Sequence, residues 1–136
     1  MGAWSHESFG NDDACDWVVE LEETDDLEFI ASTLDAVLAI GDEYLQAPEA
    51  SQAIAAAEAV ARLQGNFDKR DTSTEALDEW VARVKLVPPQ TLTQKAHQAL
   101  DRILQEPSEL LELWSDSEGS ASWTQAVKDL KGRIRT

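Results

Sequence analysis

Apolar positions recur along this chain at helical intervals, in short blocks cut by polar residues, glycine and proline. Ala14, Trp17, Val18 and Leu21 stand at i, i+3, i+4 and i+7, which is one face of a helix. Asp12, Asp16, Glu20 and Glu23 fall on the opposite face. Asn11 is a favourable N-cap, and Asp12 and Asp13 occupy a first turn where the helix dipole favours negative charge. The spacing predicts a first helix ending near Glu23. Asp25 and Glu28 make a capping-box pattern for a second helix, with Leu27, Ile30, Leu34, Val37 and Leu38 inward and Gly41 as its stop.

The stretch from Tyr44 to Gly65 breaks this pattern. Pro48 at a first helical position and Gly65 just past the end bracket a helix over 48–64, in which the only charges are Glu49, Glu58 and Arg62. Most of the rest is alanine. Such a helix has few faces to give to water, so it is expected to lie buried as the central post of the domain.

Thr72 with Glu75 predicts the next helix, carrying Leu77, Trp80, Val81 and Val84 and stopped by Pro88 and Pro89. Thr91 with Gln94 predicts another through Ala96, Leu100, Ile103 and Leu104, ending before Pro107. A short helix through Leu110, Leu111 and Trp114 follows, then a turn at 115–120. Ser122 with Gln125 predicts the last, with Trp123, Ala126, Val127, Leu130 and Ile134 inward. No alternating β-branched run, fixed-period repeat or sustained heptad occurs. The expectation is all-α: a single domain over 1–136, a compact bundle of six to seven short helices around the alanine-rich one.

Charge changes this picture. The net charge is −16, and residues 1–61 hold fifteen Asp and Glu with no Lys or Arg, whereas 62–136 hold twelve acids against eleven bases. Such a field repels nucleic acid and anionic lipid and attracts basic partners. No apolar run approaches the roughly 18 residues that span a membrane, and the N-terminus lacks signal-peptide character. A lone cysteine suits a reducing cytoplasm.

Candidate chemistry is sparse. Cys15 is flanked by Asp12, Asp13 and Asp16, which disfavour its thiolate, so it reads as structural. His6 and His97 form no metal-ligand pair, and no catalytic triad, phosphate loop or cofactor fingerprint is present. No cofactor or metal is expected. The carboxylates of Asp12, Asp16, Glu20 and Glu23 read either as a solvated face or as a surface for a basic partner. A straight helix does not wrap a calcium ion. Of the five tryptophans, Trp17, Trp80, Trp114 and Trp123 fall on inner faces, and Trp4 with Phe9 is expected to dock from the N-terminal segment.

The chain resembles a bacterial family known as domain of unknown function 4259. The resemblance rests on MGAW at 1–4, Phe9, NDDA at 11–14 with Asp16 and Trp17, YLQAPEAS at 44–51 and AAAEAVA at 55–61. ELLELW at 109–114 and the stretch from Trp123 to Leu130 agree as well. Ser5, where glycine is expected, and Cys15, where an apolar residue is usual, depart from it. The resemblance implies a small cytoplasmic bacterial protein and carries over no activity and no catalytic residues. After removal of Met1, the amino group of Gly2 is expected to reach Asp12 or Asp13 and tie the segment down.

Together these features favour a non-catalytic acidic module that binds a basic protein through Asp12, Asp16, Glu20 and Glu23. An immunity-type inhibitor of a basic enzyme or toxin such as a nuclease fits, since carboxylates compete with phosphates for a basic cleft. One alternative is a small hydrolase or cation-binding protein using Asp12, Asp13 and Asp16 with His6. Another is a structural or oligomerisation domain.

Overall fold

A computed structural model describes residues 12–66, 75–115 and 120–135. Over these the chain is all-α, with seven helices: α1 (Asp12–Leu21), α2 (Glu28–Ile40), α3 (Ala47–Leu63), α4 (Glu75–Val84), α5 (Gln90–Ile103), α6 (Glu109–Ser115) and α7 (Ser120–Arg133). Among the described residues there is no strand, only an isolated parallel bridge between Leu45 and Ser108. Asn11, Thr72 and the N-terminal residues Gly2, Trp4, His6 and Phe9 lie outside the described residues, as do their expected caps and contacts.

The bundle is built around α3, which packs against each of the other six helices. Every residue from Ala50 to Arg62 except Gln52 is buried. Alanine makes this possible, because side chains ending at Cβ let neighbouring helices approach closely from all sides. Leu34 and Val37 of α2 are fully buried, as are Leu77 of α4 and Leu100 and Ile103 of α5. Together they supply the bulk that the alanines lack. Trp17, Trp80 and Trp123 are buried and Trp114 is half-buried. Trp17 stacks on Phe29 at 5.1 Å, and Trp114 on Trp123 at 6.2 Å.

The helix ends differ from the capping patterns. Glu28 opens α2, but its backbone N–H donates to Asp26, not Asp25, at 3.1 Å, while Asp25 pairs with Arg83. α5 begins one residue before Thr91, with extended Pro89 at its N-cap and no side-chain cap. α7 begins at Ser120, so Ser122 is interior and Gln125 donates to Asp129. α1 ends at Leu21, short of Glu23. There the bonds shorten to i→i−3, and the Thr24 hydroxyl takes the Leu21 carbonyl at 2.9 Å.

The N-terminus of α3 has its cap supplied from elsewhere in the chain. The Ala47 N–H donates to Glu109 Oε1 of α6 at 2.8 Å, while the backbones of Leu45, Pro107 and Glu109 pair alongside. Arg102 of α5 closes the same corner, donating to the carbonyls of Gly41, Glu43, Gln105 and Pro107. One guanidinium thus fastens the α2–α3 turn to the α5–α6 turn.

Candidate functional site

The inner face of α1 turns Ala14, Trp17, Val18 and Leu21 into the core, and Trp17 Nε1 donates to Thr33 Oγ1 of α2 at 2.7 Å. That docking fixes what faces outward. Asp16 and Glu20 are exposed on the helix, Glu23 is exposed in the turn after it, and Val19 stands 60% exposed among them. The Asp12 side chain lies outside the described residues, so three members of the expected surface are seen together. Asp16 and Glu20 are one helical step apart, a rise of about 6 Å. Among the described residues, none of Asp16, Glu20 or Glu23 takes part in an ion pair.

Several of the described cations are engaged away from this face. Arg83 holds Asp25 and the Glu22 carbonyl, Lys95 holds Asp35 at 3.0 Å, and Lys131 holds Asp101 at 2.6 Å. Arg102 serves backbone carbonyls. Arg62 and Arg133 turn inward. The outcome on α1 is an exposed surface of hydrogen-bond acceptors carrying net negative charge.

The inward pair forms a buried charge cluster that periodicity did not reveal. Glu58 and Arg62, both about 2% exposed, lie one turn apart on α3, with Arg62 Nε on Glu58 Oε1 at 2.9 Å. Arg62 also reaches Asp78 of α4. Arg133, from the last turn of α7, grips Glu58 with both terminal nitrogens, Nη1 to Oε1 at 2.9 Å and Nη2 to Oε2 at 2.7 Å. Burial alone would push the Glu58 carboxyl up. Its hydrogen bonds and charge interactions with Arg133 and Arg62 outweigh that and hold it below the ordinary glutamate value. The one signal in the sequence was a pair of opposite charges four residues apart inside an alanine run.

Other polar groups have structural partners. His97 is half-buried, and its Nε2 donates to the Ile134 carbonyl at 2.7 Å. Tyr44 donates to Glu112 Oε2 at 2.7 Å. That hydrogen bond is the main cause raising the phenol to about 12, with desolvation and the negative charges of Glu112 and Glu109 adding to it. Cys15 is half-buried on α1 and in no disulfide. Among the described residues no three His, Cys, Asp or Glu side chains converge as a metal-binding group. No described helix is long and apolar enough to cross a membrane.

No curated protein and no solved structure shows significant similarity to the chain. A family model does: residues 2–126 match the one described as domain of unknown function (DUF4259). That match takes in the acidic helix, the central post and the start of α7, and the chain therefore belongs to the DUF4259 family.

Proposed function

We propose that this protein is a non-catalytic binding module whose α1 face meets a basic protein, acting as an immunity-type inhibitor of an enzyme with a cationic cleft. The observation that carries the reading is the disposition of charge. Asp16, Glu20 and Glu23 are exposed and outside every ion pair of the described residues, while Arg62, Arg83, Lys95, Arg102, Lys131 and Arg133 are engaged within the fold. A net charge of −16 would speed the encounter with a cationic surface and make it sensitive to salt. The exposed Val19, flanking these carboxylates on α1, offers an apolar contact that a purely solvated surface would not need.

The test compares the full chain with a variant carrying Asp16→Lys, Glu20→Lys and Glu23→Lys, each immobilised and exposed to lysate of the source cells. The expected result is a basic protein retained by the wild type, released as salt rises and absent from the variant. Identical sets of retained proteins on both would overturn the reading.

A further inference from the structure

The last described residues are held by side chains that address their backbone as well as their charge. Gln64, just past α3, donates from Nε2 to the Arg135 carbonyl at 2.6 Å and accepts the Arg135 N–H on Oε1 at 2.8 Å. One amide side chain thus pairs with both backbone groups of one residue, as a neighbouring strand would. Asn66 donates to the Arg133 carbonyl at 2.8 Å and accepts Arg133 Nη1 on its own carbonyl at 3.2 Å. His97 takes the Ile134 carbonyl, the Ile134 side chain is 2% exposed, and the Arg133 guanidinium lies on the buried Glu58 carboxylate. Gly65, at φ +84°, turns the chain between Gln64 and Asn66 so that both address this segment.

We propose that Glu58, Gln64, Asn66 and His97 form a recognition slot for an Arg-Ile segment and the backbone after it. Residues 131–135 of the same chain fill it as a releasable strap. The components of a peptide site are present: a buried carboxylate for a guanidinium, an apolar recess, and amide groups that pair with backbone whatever the side chain. The strap lies beyond residue 126, where the family match ends. The inference does not depend on the α1 face.

The test uses the full chain carrying Arg133→Ala and Ile134→Ala, which removes the strap's two anchoring side chains and leaves its backbone pairs as the only hold, so that a competing peptide with both anchors displaces it. The probe is a dye-labelled peptide of residues 129–136 read by fluorescence anisotropy. Saturable binding to the variant and none to the wild type is expected. A peptide carrying Arg133→Met should bind on the order of a hundredfold more weakly, because it forfeits the two-pronged guanidinium contact and leaves the buried carboxylate to Arg62. Equal binding of both peptides, equal binding to wild type and variant, or no binding to the folded variant would overturn the proposal. A second arm holds even if the double variant loses its helical circular dichroism. Gln64→Ala should leave the wild-type helical signal intact and quicken tryptic cleavage after Lys131 and Arg133 several-fold, and an unchanged cleavage rate would overturn it.

Discussion

Glu58 is a carboxylate removed from water at the middle of the central helix, with one arginine from its own helix and one from the end of α7. Glu58→Gln would leave the buried Arg62 guanidinium with Asp78 as its carboxylate partner and take the charge from under the half-buried Arg133, a loss of about 3 kcal/mol in chemical denaturation. The sign of its pH dependence follows from the lowered native value. Unfolded, the group titrates near 4.5, and folded, below that. Its contribution is therefore complete above 4.5 and lost as pH falls through the native value, so the stability gap between wild type and Glu58→Gln should narrow on acidification. A gap of constant size from neutral pH down to about pH 3 would contradict the assignment. Tyr44 is the chain's one tyrosine, so tyrosinate absorbance reports it alone. It should ionise near 12, and Glu112→Gln should bring it back toward the usual 10.

Among the elements, α3 is the least tolerant of added volume. Ala55, Ala56 and Ala57 are all fully buried, so no rotation of the helix finds room for a larger residue. Ala57→Leu should cost about 1–3 kcal/mol or more, and a thermal melt unchanged from wild type would refute this packing. The same features decide what could be read in advance. The other helices were visible because an apolar face repeats at a period that only a helix satisfies, whereas α3 was bracketed by Pro48 and Gly65 and its burial followed from its lack of a polar face. The capping pairs at Asp25, Thr91 and Ser122 misled because a Ser, Thr or Asp three residues before an acid or glutamine is common in a chain this polar. At α3 a cap from Glu109 of α6 replaces the local one, a contact across 62 residues. The Glu58–Arg133 pair, 75 residues apart, leaves no periodic trace. On the outer face of α1 periodicity placed Asp16 and Glu20, but whether they stand unneutralised depends on where distant cations fold.

For the molecule as a whole, self-repulsion within a chain of net charge −16 opposes folding, and the exposed ion pairs of Lys95 and Lys131 offset little of it. Raising salt from about 10 mM to about 1 M shortens the screening length from about 30 Å to about 3 Å. The Tm should therefore climb by several degrees, and a fall would mean that the ion pairs outweigh the repulsion. The contact of α3 with all six other helices also bears on how the molecule can change length. Adding or deleting one residue there turns everything beyond it by about 100°, scrambling several packed faces in a single event. Relatives that differ in size should carry their insertions in the connections and keep the span from Ala47 to Leu63 at constant length.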